Sequence, residues 1–390
     1  MDDIYLDNNA TTPIDPAVFD AMLPFLREQF GNPSSSYPRG KAARAAIEQA
    51  RAQVAALIGA EADEIVFTGG GTEASNIAIR SGGVSQHGRK TIVTTTIEHP
   101  ATDACCDLLR RDGYDIRRVR PDGAGVVKAE GFAGQIDAKT ALVTVIHAQN
   151  EIGTLQPIAE IARLAKGNGA LMHADAAQSV GKVTVDVNAL GIDLLSIAGH
   201  KLYAPKGIGA LYMRRGLTLP SVLVGAGQEH GRRPGTENVA FIVALGEASR
   251  IAAAQLDQVQ ARMAKSADAL VAKLRASIPD LVVVGEGAPR LPNTRNVLFP
   301  GVSGRLLLEQ CPGVSASTGS ACHADREEAS AVLLALGLDP DRALGAVRLS
   351  VGRQTSIDDA ERAAERLIAA WQAMNASTPS LMSARQGAPA

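Results

Sequence analysis

A lysine and a carboxylate each follow an apolar segment of the chain. Lys201 comes after LLSIAGH, and Asp175 comes after ALMHA. A lysine that is removed from water has a lowered pKa, which Schiff-base chemistry requires. A buried carboxylate needs a cationic partner, and the protonated ring nitrogen of pyridoxal phosphate (PLP) is one. Alone, the lysine could be solvated and the aspartate could cap a helix. Their spacing of about one βα repeat favours two adjacent strand ends that face one cofactor.

The glycine-rich segment TGGGTE follows the predicted strand EIVF and opens a helical pattern. Glycines let backbone N–H groups approach an anion, and a helix N-terminus favours negative charge. Gly71 and Thr72 therefore indicate a site for a single phosphate. The spacing differs from that of a nucleotide P-loop. A plain turn between strand and helix is the alternative.

Three further side chains could do chemistry. His99 follows a predicted strand, so its flat ring could stack on a flat cofactor or simply pack. Arg353 ends RLSVGR and could hold a carboxylate through two hydrogen bonds, or lie on the surface. Cys322 stands among small residues in STGSACH, where His323 and Arg326 could lower its pKa and favour the nucleophilic thiolate. An incidental surface cysteine is the alternative.

Short apolar runs alternate with helical patterns in the first two thirds of the chain. This predicts a parallel, doubly wound α/β sheet with strands at 64–67, 91–95, 142–146, 170–173, 194–197 and 209–213. The predicted helices are 40–57, 101–111, 158–167 and 238–258.

The pattern changes near residue 256. The remaining segments predict a smaller α+β domain. They are a helix at 258–277, strand-like LVVVG and TRNVLF, a helical stretch at 303–310, VRLSVGR and a last helix at 357–375. We expect a large domain at 14–255, a small domain from 1–13 and 256–376, and a disordered tail at 377–390.

Bulk properties narrow the class of protein. The net charge is −2, with 46% apolar and 21% charged residues, which indicates neither nucleic acid nor a membrane as partner. The acidic start MDDIYLDNN does not resemble a signal peptide. The four cysteines show no metal-ligand spacing and are interpreted as reduced thiols. We expect a cytoplasmic protein without a metal site.

The order of the motifs resembles a known family. YLDNNATTP, GNPSS, FTGGGTEASN, EHP, HADAAQ, GHKLYAPKG, GRRPGTEN, STGSAC and RLSVGR are similar to the class V, fold-type I PLP enzymes, and more narrowly to cysteine desulfurases of the NifS/IscS type. The resemblance implies a large domain with a mainly parallel seven-stranded sheet and a smaller α+β domain.

The resemblance also implies roles by position. The residues for PLP would be Lys201 for the covalent link, Asp175 for the ring nitrogen, Gln178 for the ring oxygen, His99 on the ring, Gly71, Thr72 and His200 on the phosphate, and Thr236 on the phosphate in a partner subunit. The residues for the substrate would be Asn150 and Arg353 on its carboxylate, Asn8 nearby, and Cys322 as the sulfur acceptor. Lys201, His99 and Cys322 would be catalytic.

The implied reaction removes sulfur from L-cysteine, gives L-alanine, and leaves a persulfide on the loop cysteine. A homodimer with shared sites would pass the sulfur to an acceptor such as an iron–sulfur scaffold or a sulfur carrier. Three places depart from the pattern: Ala198 replaces a frequent serine, Gln149 replaces a usual asparagine, and the loop continues as HAD (323–325). The loop sequence and the missing serine at Ala198 resemble selenocysteine lyases, so selenide release from L-selenocysteine is the alternative. Two other hypotheses remain. One is an aminotransferase or β-eliminating lyase in which the cysteine is incidental, and the other is a non-catalytic scaffold.

Overall fold

The computed structural model describes residues 3–86, 88–319 and 328–376. Its strands are β1 (Ile4–Tyr5), β2 (Ile65–Thr68), β3 (Thr91–Thr95), β4 (Asp115–Val119), β5 (Thr140–Ile146), β6 (Leu171–Asp175), β7 (Leu194–Ala198), β8 (Gly209–Met213), β9 (Val282–Val283), β10 (Thr294–Leu298), β11 (Val314–Ser315) and β12 (Ala346–Ser350). Its α-helices are α1 (Pro16–Arg27), α2 (Pro38–Leu57), α3 (Gly71–Ser85), α4 (Pro100–Arg111), α5 (Ala129–Ala133), α6 (Ile158–Gly167), α7 (Val187–Leu190), α8 (Val239–Ser277), α9 (Gly304–Glu309), α10 (Ala331–Ala335), α11 (Pro340–Ala343) and α12 (Ile357–Ala376). The predicted tail at 377–390 lies outside the described residues.

The central sheet has seven strands in the order β2-β8-β7-β6-β5-β3-β4. Strand β8 runs antiparallel to both of its neighbours, and the other pairs are parallel. All residues of β5, β6 and β7 are buried, because helices cover both faces of such a sheet. The predicted mainly parallel α/β sheet is confirmed.

Strand β4 was not predicted because it is charged. It reads DIRRV and forms an edge of the sheet. Arg117 pairs with Asp115 and Asp137, while Arg118 pairs with Asp103 and with Asp107 of α4. Charged edges of this kind discourage pairing with a further strand, and they leave no apolar run in the sequence.

The prediction of two helices at 238–258 and 258–277 is wrong, because α8 is one continuous helix. Its sequence AAAQLDQVQARMAKSA contains no glycine or proline that would end it. By length and composition α8 could cross a membrane, but 56% of its most apolar 18-residue stretch is buried inside the structure. Core helices of water-soluble proteins commonly pass the same test.

Helix α8 contributes to two hydrophobic clusters. Ile251 and Ala252 belong to a cluster around the central sheet, whereas Val259 and Met263 belong to a second cluster with β1, β10, β12 and α12. The first cluster also takes side chains from the last third of the chain, such as Leu333. The domain boundaries 14–255 and 256–376 therefore stay a prediction, although the change of cluster along α8 falls close to them.

Candidate active site

A cavity of about 1000 Å³ lies where the strands of the central sheet end. Its wall includes the last residues of three neighbouring parallel strands: Ile146 of β5, Asp175 of β6 and Ala198 of β7. Ligands of open α/β sheets bind at this carboxyl edge. The geometry therefore makes this cavity the candidate active site.

Lys201 and Asp175 line the same cavity, as their spacing predicts. Asp175 ends β6, and Lys201 closes a short 3₁₀ turn directly after β7. Burial lowers the pKa of the Lys201 amine; the carboxylate of Asp175 opposes this effect and the guanidinium of Arg348 adds to it. Asp175 is 4% exposed, and its Oδ1 accepts a hydrogen bond from the backbone N–H of Ala177 at 3.0 Å. An amine of lowered pKa thus faces a buried carboxylate across one pocket.

The N-terminus of α3 opens into the cavity. Gly70 precedes the helix with φ +152°, a conformation that side chains rarely adopt, and Gly71 and Thr72 form the first turn. A Cβ on Gly71 would lie 3.1 Å from the Cβ of Ala198, so glycine lets α3 approach the end of β7. The unpaired N–H groups of a first helical turn suit an anion.

His99 lines the cavity and caps the N-terminus of α4. Its Nδ1 accepts a hydrogen bond from the backbone N–H of Ala101 at 3.1 Å, at the start of α4. Burial lowers the pKa of His99, the carboxylate of Asp175 opposes this, and Lys201 adds to it. A neutral ring that accepts at Nδ1 carries its proton on Nε2. His99 can therefore donate from Nε2 toward the cavity.

His200 also lines the cavity, beside Lys201. Burial lowers its pKa to about 4, with help from Lys201, Lys206 and Lys182. Its Nδ1 lies 3.2 Å from Thr11 Oγ1. Near neutral pH the ring is uncharged and can contribute a hydrogen bond rather than a charge to an anion.

The predicted substrate residues are divided between two places. Asn150 lines the cavity, but Asn8 lines a smaller, separate one and donates through Nδ2 to the carbonyl of Ser350 at 3.0 Å. The next residue, Asn9, lines the main cavity instead. The structure therefore does not place Asn8 at this site.

Arg353 does not line the cavity either. Its guanidinium pairs with Asp15 and lies 3.9 Å from the ring centre of Tyr203. Arg348 of β12 lines the cavity in its place. It donates through Nη2 to Asp7 Oδ1 at 2.6 Å and through Nη1 to the carbonyl of Asn150 at 3.3 Å. Its buried Nε has no acceptor among the described residues.

Two predicted residues cannot be assigned to this cavity. Thr236 is exposed and does not line it. Cys322 lies outside the described residues, as do His323 and Arg326.

The sequence interpretation overlooked a buried lysine near the cavity. Lys182 is 4% exposed, and its Nζ donates to Gln178 Oε1 at 2.8 Å and to Asn9 Oδ1 at 3.1 Å. Gln178 lines the cavity and donates through Nε2 to the backbone carbonyl of Asn9 at 2.9 Å. Lys182 and Gln178 stand four positions apart in the turn that follows β6, a spacing that could have indicated the contact.

The fold and the site define a class of protein. The sequence pattern of the family described as aminotransferase class-V matches residues 4–363, and the chain belongs to that family. It is 44% identical to the cysteine desulfurase NifS of Azotobacter vinelandii over 365 residues, which cover 93% of this chain and 91% of that protein. It is 41% identical to the cysteine desulfurase IscS of Dictyoglomus turgidum over 361 residues, covering 92% and 91%.

Solved structures agree with this assignment. A NifS-like protein superimposes with a TM-score of 0.88 at 33% identity, covering 94% of this chain and 98% of its own. A structure described as SspA in complex with cysteine has a TM-score of 0.80 at 33% identity, covering 90% and 99%. The expected fold type is confirmed.

Proposed function

We propose that this chain is a PLP-dependent cysteine desulfurase that converts L-cysteine to L-alanine. The single observation that carries the proposal is that Lys201 and Asp175 face one cavity from adjacent strand ends. The named relatives confirm the expectation of a cysteine desulfurase and do not favour selenocysteine lyase.

The residues of the cavity suit PLP. Lys201 would hold it covalently, the buried Asp175 would pair with its ring nitrogen, and Gln178 would donate to its ring oxygen. His99 offers a flat neutral ring, while the first turn of α3 with His200 offers N–H groups to the phosphate. When bound, PLP supplies an electron sink for the charge left after the α-proton is removed.

The side chains of this chain would bind the substrate and move its protons. Arg348 and Asn150 would hold the carboxylate, because both residues line the cavity and Arg348 carries the positive charge that a carboxylate needs. Arg348 thus takes the role expected of Arg353. Burial lowers the pKa of the Lys201 amine, which favours a role for Lys201 in moving the α-proton of the substrate.

Sulfur transfer would use Cys322. Its thiolate attacks the sulfur of the substrate, the carbon–sulfur bond breaks, and the electron pair and a proton remain with the alanine product. The sulfur stays on Cys322 as a persulfide. An acceptor protein, such as an iron–sulfur scaffold or a sulfur carrier, would then take it. We also propose a cytoplasmic homodimer, in which Thr236 reaches the phosphate site of the partner.

The test compares the wild type with Lys201→Ala and Cys322→Ala, and with the exposed-lysine control Lys265→Ala. With PLP and L-cysteine, the wild type and the control should absorb visible light, form alanine and carry a persulfide on Cys322 detectable by mass spectrometry. Lys201→Ala should lose the covalently bound cofactor, and Cys322→Ala should lose the persulfide. Full sulfur release by Cys322→Ala would contradict the transfer step. Strong selenide release from L-selenocysteine with negligible turnover of L-cysteine would contradict the substrate.

A further inference from the structure

Lys182 is a buried lysine without a carboxylate partner. Among the described residues no Asp or Glu lies within ion-pair distance of its amine, and its two acceptors are the neutral amide oxygens of Gln178 and Asn9. Burial lowers its pKa well below the usual value for lysine, and Lys201 and Arg348 add to this. Burying an amine costs free energy, which its hydrogen bonds to these two oxygens must offset.

The two neighbours of Gln178 determine which way its amide points. The carbonyl of Asn9 only accepts, so the nitrogen of the amide must face it at 2.9 Å. The amine of Lys182 donates at 2.8 Å, so the oxygen of the amide must face Lys182. A flipped amide would place two acceptors together on one side and two donors on the other.

Asn9 is held in turn by its own contacts. Its Nδ2 donates to Thr294 Oγ1 at 2.8 Å and to the carbonyl of Asn150 at 3.1 Å, and its Oδ1 also accepts from Asn293 at 3.0 Å. The oxygen that accepts from Lys182 is therefore fixed. Gln178 Nε2 has two hydrogens, and one has no acceptor among the described residues although the side chain lines the cavity.

We propose that Lys182 is a positioning residue that holds the Gln178 amide so that its free N–H points into the active-site cavity. This inference rests on the proposed function, since the N–H would meet the ring oxygen of PLP there. Without the Lys182 amine, the buried Gln178 oxygen would lose its donor, and the side chain would reorient to find another.

The experiment is a double-mutant cycle with Lys182→Met, Gln178→Ala and the double variant in the full-length protein, with the exposed Lys166→Met as control. Two quantities are measured: the dissociation constant for PLP by visible absorbance, and the pH midpoint of that absorbance. Thermal unfolding without PLP monitors the fold.

Lys182→Met and Gln178→Ala should each weaken PLP binding by about fivefold to tenfold, the effect of one hydrogen bond, and shift the pH midpoint in the same direction. The double variant should be no worse than Gln178→Ala, because Lys182 acts through Gln178. Lys182→Gln, which keeps an N–H donor, should recover most of the affinity. If the Lys182→Met variant does not fold, Lys182→Gln still tests the inference.

Two results would overturn the inference while leaving the proposed function intact. One is wild-type affinity and an unchanged pH midpoint in the Lys182 variants. The other is a double variant whose loss equals the product of the single losses, which would mean that the two residues act independently. A wild-type protein that develops no visible absorbance at any PLP concentration would instead overturn the proposed function, and this inference with it.

Discussion

Two arginines of one motif, Arg348 and Arg353, have different surroundings. Arg348 borders the cavity with an unused Nε, whereas Arg353 is occupied by Asp15 and Tyr203. Because a charge-assisted hydrogen bond contributes about 1.5–3 kcal/mol, Arg348→Gln should raise KM for L-cysteine by about tenfold or more. Arg353→Gln should change it by less than about twofold. Steady-state alanine formation measures both, and equal effects would contradict the assignment.

Glu98 predicts a pH dependence of stability. Burial raises its pKa to about 8; hydrogen bonds from Thr95 and Ile146 oppose this, and Asp175 adds to it. Its Oε2 has no partner among the described residues. A carboxyl whose pKa is higher in the folded than in the unfolded state stabilises the fold below about pH 4.5, and loses that contribution as the pH rises through about 8.

The variant Glu98→Gln should therefore be the more stable protein at alkaline pH. The amide is an uncharged replica of the protonated acid, so we expect a gain of about 2–4 kcal/mol in unfolding free energy at pH 8.5 and little change at pH 5. Denaturant unfolding at the two pH values measures it, with the exposed Glu130→Gln as control. A gain of equal size at both values would argue against titration of Glu98.

Residues at strand ends, or a few positions beyond them, were the predictable part of the site. Asp175, Lys201, His99 and Gly71 all reach the cavity because parallel strands end at one edge. Arg353 does not reach the cavity, because β12 ends at Ser350 and the last arginine of RLSVGR stands beyond the strand. Asn8 and Asn9 are adjacent and alike, and no pattern says which one faces a cavity.

At the scale of elements, a buried ion pair ties the segment at 228–231 to the edge of the sheet. Both oxygens of Glu229 accept from Arg51, and one also accepts from the backbone N–H of Phe67 in β2. The two side chains are 4% and 3% exposed. Glu229→Ala would leave the buried guanidinium with the half-exposed Glu48 as its remaining carboxylate partner among the described residues, so we expect a loss of about 3 kcal/mol in unfolding free energy.

The matched control is an exposed ion pair near the same strand. Arg215 and Asp63 bond at 2.6 Å with side chains 63% and 56% exposed, and such pairs contribute little because water screens them. Asp63→Asn should leave the unfolding midpoint nearly unchanged. A similar loss in both variants would mean that burial does not set the strength of the Arg51–Glu229 pair.

Elements were predictable where their pattern was apolar. The strand at 91–95 and the helix at 158–167 were predicted with the bounds that β3 and α6 have. The charged β4 was missed, and α8 was divided because its buried face passes from one hydrophobic cluster to another while its backbone continues. Tertiary contacts determine both the pairing of β4 and the continuity of α8, and local sequence patterns do not contain them.

At the scale of the whole molecule, α8 links the two hydrophobic clusters. We expect a single thermal unfolding transition, because neither cluster can lose the helix without disturbing the other. Gln255 is exposed on α8 between the two sets of buried side chains. Gln255→Pro should cost about 3 kcal/mol and divide the transition in two, whereas Gln255→Ala should not. Calorimetry measures both, and one undivided transition in the proline variant would show that other contacts couple the clusters.

The position of β8 in the sheet has a consequence for synthesis on the ribosome. Strand β2 has β8 as its one neighbour among the described strands, and β8 joins it to β7. The glycine-rich turn after β2 therefore emerges long before the strand that secures it. Nascent chains stalled before residue 209 should stay sensitive to protease near Thr68, and those that include β8 should resist. The glycine-rich end of the pocket is therefore translated early but becomes ordered only after β8 has been made.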